Sequence, residues 1–200
     1  MKNKFLKGLV ASLALAVSGL ANAELITFDS LEVNNSLLNT IPSGVYEEGG
    51  FTLSFGAMHY AGQQHVNQYA GSAGLHMRSS NGLITLFDSN NDLFSIESIG
   101  LSVLRNGRVS PSITFIGSLF GGGTVQTTFT PVTFGFTDFV FDSSFSSLTS
   151  LTWRQGSGES NAHQFDNIKL NSVDVPEPST LAVFVLGLMG LASRKFKKQA

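Results

Sequence analysis

Few residues in this chain could do chemistry, and their spacing excludes more than it supports. The histidines His59, His65, His76 and His163 are scattered, with no H-E-x-x-H and no two on one predicted strand face at ligand spacing. Cysteine is absent, which removes thiolate metal sites, thiol nucleophiles and a disulfide scaffold. Gly156-Ser157-Gly158 is not the Gly-x-Ser-x-Gly of a nucleophile elbow. Gly121-Gly122-Gly123 has no following lysine or helix and reads as a hairpin turn, not a phosphate cradle. Glu47 and Glu48 are adjacent, so on an extended chain their carboxylates leave on opposite sides and cannot flank a glycosidic bond. A secreted hydrolase would need an acid pair or a metal triad that the sequence does not supply.

Recognition chemistry fits better. Tyr60, His65 and Tyr69 share a segment with Gln63, Gln64, Asn67 and Gln68, a combination of ring faces and polar groups suited to a sugar. The competing reading is a polar loop that uses its tyrosines as anchors. Trp153 shares a face with Leu151 and is expected in the core. Asp88-Ser89-Asn90-Asn91-Asp92 lacks the Gly and closing Glu of a calcium-binding helix-loop-helix and reads as turn chemistry.

The elements that would position these groups are strands. Phe51, Leu53 and Phe55 alternate with polar residues, as do Ile99, Leu101 and Val103, and then Val125, Thr127 and Phe129. Further strands are expected at 25–28, 75–79, 83–87, 113–119, 132–136, 139–141, 148–154 and 164–170. The stretches before Gly44 and from Gly56 to Gly74 read as irregular. Asn81-Gly82 between apolar runs predicts a hairpin, and Asn106-Gly107 a second turn. The pattern predicts an all-β, antiparallel β-sandwich, a jelly roll in particular. A β-solenoid is the alternative, though no fixed repeat period is present.

The two ends are of another kind. Lys2, Lys4 and Lys7 precede an apolar run, and Ala21 and Ala23 supply small residues for cleavage after Ala23, so 1–23 reads as a signal peptide for the Sec machinery and signal peptidase. A body at 24–172 leads to a linker at 173–180, an apolar run at 181–193 and a basic tail at 194–200. Between Ser179 and Ser193 nothing is charged, enough for about 22 Å of helix against roughly 30 Å of bilayer hydrocarbon. Arg194, Lys195, Lys197 and Lys198 hold that end on the cytoplasmic side. A buried C-terminal helix of a soluble domain would show an amphipathic face, and this run is apolar all round. Between Glu24 and Glu177 lie all fourteen acids and only five basic residues, so the whole-chain charge of −2 hides a body of −9. That acidity excludes nucleic acid and anionic membrane surfaces as partners and suits solubility or divalent cations.

The order Val175-Pro176-Glu177-Pro178, short apolar run, basic cluster resembles the PEP-CTERM sorting signal of Gram-negative bacteria, over residues 175–198. The resemblance implies an exosortase, a membrane cysteine transpeptidase, as partner. It implies an inner-membrane intermediate with the body in the periplasm, then a cell-surface or extracellular place. Elsewhere, Ile26-Thr27-Phe28-Asp29, Gly49-Gly50-Phe51, the strand at 148–153 and Phe165-Asp166-Asn167-Ile168 are similar to ectodomains found ahead of such tails, which resemble carbohydrate-binding jelly rolls. In that fold the first and last strands lie side by side. Asp29 would then meet Asp166 and Asn167, whose hard oxygens could hold a structural Ca²⁺, with Glu24 or backbone carbonyls completing the shell. The expected role is a non-catalytic surface or extracellular-matrix protein associated with exopolysaccharide, with a lectin-like module as the alternative.

Overall fold

The computed structural model describes residues 23–42, 44–77, 82–108, 112–155 and 162–173. Residues 1–22 of the signal peptide expected at 1–23, the Pro-Glu-Pro motif, the apolar run at 181–193 and the basic tail lie outside them. No helix among the described residues is long and apolar enough to cross a membrane. The strands are β1 (Ala23–Ile26), β2 (Leu38–Ile41), β3 (Gly44–Glu48), β4 (Phe51–Phe55), β5 (Met58–Ala61), β6 (His76–Met77), β7 (Leu83–Asp88), β8 (Leu93–Val103), β9 (Ile113–Leu119), β10 (Thr124–Phe129), β11 (Thr137–Val140), β12 (Leu148–Arg154) and β13 (His163–Val173). A 3₁₀ turn at Asp29–Leu31 completes the list of regular elements among the described residues.

The main sheet has ten strands in the order β1-β13-β8-β12-β7-β4-β3, with β9 and β10 attached to β12 and β11 attached to β8. β8 and β12 share one register pair, Leu148 with Phe94, so the sheet folds there into two layers. One layer holds β1, β13, β8 and β11, and the other holds β3, β4, β7, β12, β9 and β10. From β7 onward the chain crosses between the layers at every step except the β9–β10 hairpin, as a jelly roll does. The smaller sheet β2-β5-β6 docks on the first layer, where Leu75 and Phe165 exchange both backbone hydrogen bonds at 3.0 Å.

Aromatic rings join the layers. Phe51 of β4 meets Phe94 of β8 at 5.5 Å, Trp153 of β12 meets Phe165 of β13 edge-on at 5.1 Å, and Phe129 of β10 meets Phe139 of β11 at 5.2 Å. Phe115 of β9 bridges Trp153 and Phe141. Each fully buried ring contributes roughly 1.5–3 kcal/mol of transfer free energy, and each edge-on pair about 0.5–1.5 kcal/mol more. Trp153 lies in the core, as its face suggested.

Several local expectations are corrected. The stretches read as irregular hold β2 and β5, and β3 between them was not expected. Residues 132–136 form no strand, since Pro131 offers no N–H and Gly135 sits at φ +108°. β6 and β7, expected to pair across Asn81-Gly82, have other partners among the described residues: β6 pairs with β5, and β7 pairs with β4 and β12, while residues 78–81 lie outside the described ones. A local turn signal does not select the partner strand, and two-residue β6 offers little to pair with. By contrast Gly121, Gly122 and Gly123, all at positive φ, do make the β9–β10 turn, with the Gly122 N–H donating to Leu119 O at 3.1 Å.

Phe165→Ala should cost about 3–5 kcal/mol, because Phe165 packs on both Phe28 and Trp153. Phe120→Ala, at a side chain 66% exposed, should stay within about 0.5 kcal/mol. Urea unfolding of the two variants checks the contrast.

Candidate functional site

The corner where the first strand meets the last is built by register. Ala23, Glu24, Leu25 and Ile26 of β1 pair with Asn171, Leu170, Lys169 and Ile168 of β13. Cleavage after Ala23 would leave Glu24 as the first residue, still in register. Past β1 the chain turns sharply at Phe28, whose φ of +56° is strained for an aromatic residue. Glu48 of β3 holds that turn: its carboxylate accepts the N–H groups of Thr27 and Phe28, both at 3.1 Å, and the Tyr46 hydroxyl at 2.8 Å. Burial, with Glu48 as hydrogen-bond acceptor and charge, pushes the Tyr46 phenol up to about 12.

Register on β13 shifts between Asp166 and Lys169, with Asn167 at φ +48°. Asparagine tolerates this left-handed bulge position better than most residues. The bulge sends Asp166 inside. Its carboxyl is fully buried, accepts the Ser72 hydroxyl, and accepts the Asn167 N–H at 2.7 Å. Burial raises it to about 6, and the negative charges of Asp29 and Glu48 add to the effect. Asp29 itself is exposed on the 3₁₀ turn. The predicted neighbours therefore share a corner, but both Asp166 oxygens already accept hydrogen bonds. Among the described residues no three His, Asp or Glu side chains converge closely enough to hold a metal.

The segment expected to touch sugar wraps over the small sheet. Tyr60 on β5 is half-buried and leans on the hydrophobic core. His65 and Tyr69 lie in the loop that follows, and the Tyr69 N–H donates to His65 O at 3.1 Å. The Tyr69 hydroxyl donates to the Glu32 carboxylate at 3.2 Å, and Gln63 donates to the same carboxylate at 2.9 Å. Burial and then Glu32 raise the Tyr69 phenol. Glu32 was not singled out from sequence, because a lone acid in an Asn-rich stretch carries no signal.

The histidines are not scattered in space. His59 and His76 are register partners on β5 and β6, with rings 5.9 Å apart. Burial, then the positive charges of His59, His163, Arg105 and His65, holds His76 down at about 3. Arg105 in turn donates to the buried Gln68 amide oxygen through Nε at 2.9 Å and Nη2 at 3.0 Å. His163 is wholly buried on β13, and burial alone lowers it to about 3. Spacing could not have shown this cluster, since it requires β5 and β6.

Residues 174–198 match the family model of the PEP-CTERM protein-sorting motif. The chain carries that motif at its C-terminal end, ahead of which stands an all-β sandwich. The motif implies exosortase processing and export by way of a membrane-anchored intermediate. No curated protein matches the chain. Among solved structures, a family 29 carbohydrate-binding module from Piromyces equi is similar at TM-score 0.44 and 11% identity, over 78% of this chain and 93% of its own. A second structure of a family 29 module is similar at TM-score 0.40 and 10% identity, over 82% of this chain and 99% of its own.

The buried groups set the pH response. His76 and His163 fall from 6.5 to about 3 on folding, so the stability they contribute is complete above 6.5 and is lost as pH falls. Asp166 rises from 3.8 to about 6, so its contribution is complete below 3.8 and is lost as pH rises through 6. Between pH 4 and 6 two protons oppose one. Unfolding free energy should therefore fall with acidification, on the order of 1 kcal/mol per unit, and Asp166→Asn should make the fall steeper. Urea midpoints across that range provide the measurement.

Proposed function

We propose that this chain is an exported, non-catalytic surface or extracellular-matrix protein, sorted and processed by an exosortase. The observation that carries the reading is the sorting motif at 174–198. On this reading the signal peptide delivers the sandwich to the periplasm, the apolar run at 181–193 holds it briefly in the inner membrane, and cleavage near Pro176-Glu177-Pro178 passes it outward. Replacing Pro176, Glu177 and Pro178 by alanine in a host with an exosortase should leave a full-length inner-membrane protein and empty the extracellular fraction. Immunoblots of the two fractions provide the measurement, and unaltered release would remove the assignment.

Within that role the sandwich associates with exopolysaccharide, through Tyr60, His65 and Tyr69. What supports this is their place on one strand and its following loop, with amide-bearing residues between them. The Glu32 latch also makes the reading separable from mere anchoring. Tyr69→Phe removes the latch and keeps the ring, whereas Tyr69→Ala removes both. Pull-down on the producer's own polysaccharide should be retained by the first variant and fall by about tenfold in the second, as loss of a stacked ring implies. Equal loss in both variants would return the tyrosine to an anchoring role. The Asp29, Asp166 and Asn167 corner works without a cation on this reading, so the melting temperature should be the same in calcium and in chelator.

A further inference from the structure

We infer that β10 is a self-association edge, along which two copies of this chain pair antiparallel about a two-fold axis at Gln126. Among the described residues β10 bonds to β9 on one side only. Leu119 donates to Gly123 O at 3.1 Å, and the register runs on from that pair. Gly123, Val125, Thr127 and Phe129 therefore direct their backbone groups to β9. Thr124, Gln126 and Thr128 direct theirs away from the sheet. Such a row is a template for another strand unless something blocks it.

The other edges among the described strands are blocked. β1 carries Glu24, β3 carries Glu47 and Glu48, and β11 carries Asp138, which pairs with Lys169 at 3.7 Å. β2 is four residues long and runs into Pro42, and β6, the other edge of the small sheet, is two residues long and is preceded by the Leu75–Phe165 bridge. β10 has neither charge nor proline within it, and residues 109–137 contain no Asp, Glu, Lys, Arg or His. In a body of net charge −9 this is the flank on which a second acidic copy can approach without opposed carboxylates.

The strand is also self-complementary. A two-fold axis at Gln126 sets Gln126 against the partner's Gln126, and Thr124 against the partner's Thr128. All of these residues have outward amides, so each opposed pair exchanges both hydrogen bonds. Because the interface is isologous and the remaining edges are guarded, assembly closes at two copies and does not continue into fibres.

The test uses the protein recovered in its exported form from producing cells, studied by sedimentation velocity over a range of concentrations. The native chain should be a reversible dimer. Gln126→Lys and Gln126→Glu each oppose like charges across the axis and should each raise the dissociation constant by about tenfold or more. An equimolar mixture of the two variants should associate again, a result that only the Gln126 register gives. The Gln126 side chain is exposed, so both variants should keep the native circular-dichroism spectrum and melting temperature. A native chain monomeric at every concentration overturns the inference. So does a dimer that both charge variants leave unweakened, since association would then lie elsewhere.

Discussion

The closing strand is the constraint on which this sandwich depends. β13 pairs with β8 along most of its length, with β1 on its other side, and with the segment before β6 through Leu75 and Phe165. Its Phe165 ring sits between Phe28 and Trp153. No other strand touches the first strand, the small sheet and the opposite layer at once. The partners are far apart in sequence, since Ile26 pairs with Ile168 and Val103 with His163. Loop closure must therefore precede the reward of contact, and the interior cannot be sealed until the last strand is available.

The same strand explains why the interior is more polar than a sandwich core usually is. His163, Gln164 and Asp166 are consecutive or nearly so on β13 and all are buried. Alternation alone would bury every second residue. Here both faces of the first half of β13 are covered, one by the main core and the other by the small sheet and its loop. Gln164 donates to Leu104 O at 3.1 Å, Gln155 donates to His163 O at 2.7 Å, and Asp166 takes the Ser72 hydroxyl. These bonds offset part of the desolvation cost and give the docked loop a fixed place. The acid sensitivity of the fold is thus a consequence of covering one strand twice.

Much of this architecture was legible, and the failures have a common cause. Strands whose apolar residues alternate, such as Phe51–Phe55 and Ile113–Leu119, were readable, and along the second of these buried Ile113 and Phe115 do alternate with exposed Thr114 and Ile116. β3 and β5 were not, since Tyr46 and Tyr60 only lean on the core and their neighbours are Gly, Glu and His. The meeting of Asp29 with Asp166 followed from the adjacency of first and last strands. The bulge that turns Asp166 inward did not, because Asn167 is an ordinary turn former until its φ is known. The histidine cluster was hidden for the same reason as β5. A site made by strand pairing cannot be seen where the strands themselves are not.

The C-terminal signal is legible without any structure because it is a linear code, and its charges matter to the rest of the molecule. Lys2, Lys4 and Lys7 at one end, with Arg194, Lys195, Lys197 and Lys198 at the other, are what bring a body of −9 to a total of −2. Removal of both ends converts a nearly neutral chain into an anionic one. Repulsion between copies, and between copies and anionic surfaces, then applies over nearly the whole exterior, within a Debye length of about 8 Å at physiological salt. The uncharged stretch at 109–137 is the exception. On the proposed processing, loss of the terminal cations would leave this stretch as the flank on which contact between two copies meets no opposed acids.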